Sequence, residues 1–145
     1  MQPAADFFTT PETDKGNKNL DSKERARHCA HYASEKKGYN IRILGIGPWS
    51  DLADYLVFVS GQSDRQVQAI AETIRVGLKR DLGVPPLAVE GMREGRWVLI
   101  DYGDVMVHVF QQPVRDFYDL EGMWSEAPEL PAEVQPPREG ASRRR

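Results

Sequence analysis

The chain has 145 residues with a formal net charge of −3, and its hydrophobic and charged fractions are 40% and 28%. That is the profile of one ordinary globular domain with a modest core. No apolar stretch approaches the roughly 18–20 residues of a bilayer-spanning run, and the single cysteine, Cys29, cannot form an internal disulfide.

Residues 1–19 lack hydrophobic periodicity and carry Asp6, Glu12 and Asp14 but no arginine, so they fit neither a secretory signal nor a transit peptide. They are expected to be a disordered tail on a cytoplasmic protein. Asp21 followed by Glu24 matches a capping pattern, predicting a helix from there to Lys37 with Gly38 as terminator. IRILGI (41–46) reads as a strand, GPWSDLAD as a loop, and the near-continuous apolar run YLVFVS (55–60) as a strand buried on both faces. Ser63 with Gln66 is a second capping pattern. Val67, Ile70, Ile74 and Leu78 follow at helical spacing before Gly83. Gly77 within that helix is expected to cost about 1 kcal/mol relative to alanine.

Beyond it, residues 86–90 form a short strand, and 96–102 and 104–110 form two more around a tight turn at Gly103. Pro113 suits the first turn of a last helix over 113–123. Residues 126–145 hold Pro128, Pro131, Pro136 and Pro137 and end in Arg143, Arg144 and Arg145, predicting a second disordered tail. Those arginines offer a minor contact to RNA phosphate, though solvated charge is the favoured reading. The order α-β-β-α-β-β-β-α implies an α/β domain over 20–125. A single mixed sheet of about five strands would be flanked by helices, with late antiparallel hairpins and one parallel crossover.

Charge divides along the chain. Residues 20–89 carry ten Lys/Arg against eight Asp/Glu, whereas 90–126 carry three against eight. The acidic part suits a basic partner better than nucleic acid, for which a basic patch is the usual mark, although from charge alone a solvated acidic surface is the favoured reading. In the strand 96–102, Val98, Ile100 and Tyr102 share one face and look like core; Trp97, Leu99 and Asp101 share the other. Trp97 is open to two readings, strand core or binding anchor. Asp101 and Asp104 flank Gly103, with Asp104 expected to shape the turn and Asp101 to point outward toward a partner's cation.

His108 reads as a structural strand histidine, sharing a side with Met106 and Asp104 by alternation. His28 and His31 have metal-compatible spacing without further ligands. In the last helix Phe117, Tyr118 and Leu120 are expected to cover the sheet. Asp116, Asp119 and Glu121 then face outward or pair with Arg115. The expected partner surface is therefore Trp97, Leu99, Asp101 and Asp104, extended by Asp116, Tyr118 and Asp119.

DLADY (51–55), EGRWVLIDYGDVMVHVF (94–110) and FYDLEGMW (117–124), in this order and spacing, resemble the Iojap family of ribosomal silencing factors. The resemblance implies a nucleotidyltransferase-like fold and docking on the large ribosomal subunit through its protein fourteen. It also implies a steric block to subunit joining that lowers translation when nutrients are scarce. Relatives suggest a homodimer in the free state, and no cofactor, metal or membrane is implied. The chain departs from many relatives at Gly45, where they carry an acid, and at Gln66, where they carry a histidine.

The rival reading is a metal-dependent nucleotidyltransferase, with phosphate at the SGQSD turn. It lacks the strand Asp-x-Asp that would hold a divalent ion, and Ser63 and Asp64 fit capping. A general RNA-binding module is disfavoured by the negative charge.

Overall fold

The computed structural model describes residues 11–132, with side chains from Ser22 onward. Helix α1 (Pro11–Glu35) leads to strand β1 (Tyr39–Gly45) and, after a 3-10 turn, to β2 (Tyr55–Gly61). Helix α2 (Asp64–Leu82) precedes β3 (Ala88–Glu90), β4 (Trp97–Asp101) and β5 (Val105–Gln111). A short α3 (Gln112–Tyr118), a 3-10 turn (Leu120–Trp124) and β6 (Glu129–Leu130) complete the described chain.

These elements build one six-stranded mixed sheet in the order β3-β4-β5-β2-β1-β6. Only β2 and β5 are parallel neighbours. From β2 the chain crosses over through α2 to the far edge and returns by two hairpin steps. The crossover that the helix implied thus skips two strand positions before β5 closes on β2.

Helices α1 and α2 cover one face. Ala26, Cys29, Tyr32, Val67, Ile70, Ile74 and Leu78 meet Ile43, Val57, Val59, Val98, Ile100 and Val107 there. Leu56 and Phe58 of β2 point to the opposite face, packing with Leu44, Ile46 and Phe110. Strand β2 is buried on both sides, as its unbroken apolar run requires. Burial raises the pKa of the Cys29 thiol, with the nearby Asp104 carboxylate adding to the effect, so the thiol is a packing group.

The α2 termini follow the sequence signals. Ser63 accepts from the Gln66 backbone N–H at 3.1 Å, and Gly83 closes the helix with φ 69°. Gly77 is occupied for a packing reason, because a Cβ there would lie 2.8 Å from the Tyr32 ring. The Gln66 side-chain amide donates to the Lys36 and Lys37 carbonyls, 3.1 Å each.

Four expectations are corrected. Helix α1 begins at Pro11, so Asp21 lies inside it and residues 11–19 are helical. That stretch is polar all round; with no apolar stripe to read, it extends the packed part of the helix one hydrogen bond at a time. Glu129 and Leu130, placed in the second tail, pair with Leu44 and Ile43 as a sixth strand, their prolines sitting just outside the ladder. The last helix stops at Tyr118, because Asp119 turns left-handed at φ 48°. Phe117, expected on the sheet, is 79% exposed. The terminal arginines Arg143, Arg144 and Arg145 lie outside the described residues.

Candidate functional site

Strand β4 alternates as its sequence demands. Val98 and Ile100 are fully buried under the helices, while Trp97, Leu99 and Asp101 are half-buried on the opposite face. Register places Trp97 beside Phe110, Leu99 beside His108 and Asp101 beside Met106. The Trp97 indole Nε1–H donates to His108 Nδ1 at 3.1 Å. Its ring packs against Phe110 and Tyr118, each with centroids 5.1 Å away. His108 stacks on Phe58 and on Phe110, with centroids at 5.3 and 5.8 Å. Burial among these rings depresses the His108 imidazole to a pKa of about 4, so it is neutral near pH 7 and free to accept from Trp97.

The other side of the site is set by α3. Pro113 lies in its first turn, and the left-handed Asp119 turns the chain so that Glu121 comes back against Arg115. Arg115 is buried. It donates two bonds to Glu121 at 2.9 and 2.8 Å and one to the Ser60 hydroxyl at 2.7 Å, and its guanidinium lies over the Phe58 ring. Arg42 of β1 adds bonds to Glu121 at 2.9 Å and to Glu129 at 2.9 and 3.1 Å. The Arg115 hydrogen bonds, then those of Arg42, hold the Glu121 carboxyl below its usual range. These bonds pin α3, the 3-10 turn and β6 across half of the face. Both arginines in the 470 Å³ cleft beside them are thereby committed to carboxylates.

The other half stays open. Tyr118 is 54% exposed and meets Phe117 edge-on at 5.0 Å. Leu99 and Met106 are partly exposed between them and Asp101, while Asp116 and Asp119 stand exposed along α3. The result is a rigid aromatic and aliphatic strip with acids at its margin, a form suited to a basic partner.

The structure therefore brings Trp97, Leu99, Asp101 and Tyr118 together, with Asp116 and Asp119 at the rim. It removes Asp104. That carboxylate pairs with Arg25 of α1 and accepts from the Ser22 hydroxyl at 2.9 Å. The Ser22 hydroxyl also lies 2.9 Å from Asp54, the second acid of DLADY. The turn is shaped instead by Asp101, whose Oδ1 accepts from the Gly103 N–H at 2.8 Å. Asp104 precedes β5, so strand alternation does not govern its direction, and its charge is drawn to Arg25.

Met106, His108 and the Arg42–Glu121–Arg115 network belong to the site yet were not expected in it. Alternation along β5 carried the signal for the first two; of the network, local spacing offered the Arg115–Glu121 pair but not Arg42. His28 is buried with its Nδ1 2.9 Å from the Glu24 carbonyl, and His31 pairs with Glu35 at 3.2 Å. Among the described residues, no three His, Cys, Asp or Glu side chains are grouped so as to hold a metal ion.

Residues 19–145 match the family model described as ribosomal silencing factor during starvation. A ribosomal silencing factor of Bacillus subtilis is 38% identical over 109 residues, covering 75% of this chain and 92% of its own length. The chloroplast Iojap protein of Arabidopsis thaliana is 31% identical over 112 residues, covering 76% of this chain but 46% of the plant protein. A crystal structure of a Chromobacterium violaceum protein superposes with a TM-score of 0.69 at 37% identity, covering 71% of this chain and 85% of that one.

Proposed function

This chain belongs to the family of ribosomal silencing factors, and from that membership we propose that it docks on the large ribosomal subunit through protein fourteen. Bound there, it blocks the small subunit from joining and represses translation when nutrients are scarce. The observation that carries this reading is the uncovered half of the sheet face. Trp97, Leu99, Met106 and Tyr118 form an apolar strip, backed by the His108 bond and the Arg115 network and bordered by Asp101, Asp116 and Asp119. Rigid aromatics supply binding energy at low entropic cost, and acids at the rim steer a basic protein into place.

The reading is of a cytoplasmic binding protein rather than an enzyme. Ser63 caps α2, and the Asp64 carboxylate accepts from Gln111 at 2.8 Å, so the SGQSD turn has a structural use without a nucleotide. In the free protein the same strip is the natural place for two copies to meet, which light scattering across a dilution series would reveal.

Tyr118→Ala is the cleanest test. Tyr118 is 54% exposed, so its truncation spares the core, whereas Trp97→Ala would also leave His108 Nδ1 without its donor. In gradient sedimentation the wild type should travel with free large subunits and be missing from joined ribosomes. Tyr118→Ala should bind at least about thirtyfold more weakly, the roughly 2 kcal/mol of a hot spot. A wild-type chain that stays at the top of the gradient would refute the reading.

A further inference from the structure

Three chain segments meet around the first turns of α2, at the end of the sheet where β4 begins and β5 ends. The Gln66 side chain ties down the end of α1 by donating to the Lys36 and Lys37 carbonyls, 3.1 Å each. The Gln68 side chain ties down the loop before β4 by donating to the Met92 and Arg93 carbonyls, 3.0 Å each. Gln111 holds Asp64 and the Gly95 carbonyl with its side chain and the Arg96 carbonyl with its backbone N–H, at 2.8, 3.2 and 3.0 Å. Gly95 is required for this approach. Its φ is 71°, and a Cβ there would lie 2.8 Å from the Asp64 carbonyl oxygen.

The segments bring Lys36, Lys37, Arg65, Arg93 and Arg96 to one end of the molecule, all exposed. None of the five makes an ion pair among the described residues. Arg25, Arg42, Arg75, Arg80 and Arg115, by contrast, each hold a carboxylate. The acids nearby are Asp64, whose carboxylate is engaged by Gln111, and Glu94; Glu35 is engaged by His31. Arg96 immediately precedes Trp97, so the cationic patch reaches the start of the strand that carries the proposed docking strip.

We infer that this patch contacts the phosphate backbone of ribosomal RNA beside the docked protein partner. The inference rests on the ribosomal docking proposed above and adds a second, chemically distinct contact to it. Unrelieved like charges repel, and a polyanion relieves them while releasing its counterions. Three of the five are arginines, whose planar fork fits phosphate oxygens. No aromatic side chain is among them, so the contact positions the protein on the RNA and reads no base.

The full-length protein and its Lys36→Ala/Arg65→Ala/Arg93→Ala variant test the assignment, with folding checked by circular dichroism. Both should bind isolated protein fourteen equally. The variant should bind the large subunit at least tenfold more weakly at low salt. Its slope of log affinity against log salt should be shallower by about 2, from three lost charges at roughly 0.7 each. Ultraviolet crosslinks of the wild type to ribosomal RNA should fade in the variant.

Unchanged affinity and slope on the subunit would overturn the inference. So would a loss of affinity without any RNA crosslink, which would give the patch to an acidic protein. If neither form binds protein fourteen while the subunit effect and crosslinks remain, the choice of protein partner fails and the RNA contact stands. A wild type that does not bind the large subunit refutes both.

Discussion

Acidification should loosen the docking strip through His108. The imidazole is buried against Phe58 and Phe110 with Trp97 donating to its Nδ1, and its folded-state pKa is about 4. In the unfolded chain a histidine titrates near 6.5. Between these values the unfolded state binds more protons, so stability rises with pH across the window. The contribution of a neutral His108 is fully present above about pH 6.5 and is lost as pH falls through 4. From pH 7 to pH 5 the loss is about 2 kcal/mol by proton linkage, before most carboxylates titrate.

Urea unfolding at both pH values, on the wild type and on His108→Phe, isolates this contribution. Phenylalanine keeps a ring against Phe58 and Phe110 and does not titrate, and the half-buried Trp97 indole can turn to water. The stability difference between wild type and variant should move by about 2 kcal/mol between the two pH values, with the other histidines cancelling in the difference. A difference that stays constant within about 0.5 kcal/mol would refute the reasoning, as would a His108 proton resonance with a midpoint near pH 6.5.

Asp101 and Asp104 should separate in experiment. Asp104→Ala strips Arg25 and Ser22 of a partner and should cost about 2–3 kcal/mol in denaturant unfolding, leaving subunit binding by the folded protein unchanged. Asp101→Lys should cost only about 1 kcal/mol of stability, from the lost Gly103 bond, yet weaken cosedimentation with the large subunit at least tenfold. Gly77→Ala should lower the melting temperature despite the better helix propensity of alanine. Crowding against Tyr32 at 2.8 Å costs about 1–3 kcal/mol, which outweighs the roughly 1 kcal/mol gained. Arg115→Met should destabilise by about 3 kcal/mol, since Glu121 loses its two-bond partner. The same change should weaken subunit binding further by freeing the segment that carries Tyr118.

The sequence by itself determined the elements whose signals are local. Helix α2 with its Ser63 and Gly83 caps, the doubly buried β2, the hairpin around Gly103 and the two faces of β4 all follow from neighbours within a few residues. That is why Trp97, Leu99 and Asp101 could be placed on one surface. Trp97 itself is half-buried, bonded to His108 and still partly presented to solvent.

Tertiary structure alone decided where charges find their partners. Asp104 left the expected surface because Arg25 waits 79 residues away in sequence, and no spacing rule spans that gap. Glu129 joined the sheet because Arg42 and an open β1 edge receive it. The cationic patch was invisible for the same reason. Its five residues come from three segments of a chain whose net charge is negative, and these are joined only in the folded protein, where the Gln66, Gln68 and Gln111 bonds tie them together. Periodicity is a property of backbone geometry and is written along the chain. Electrostatic pairing depends on distance in space, and that distance exists only once the chain has folded.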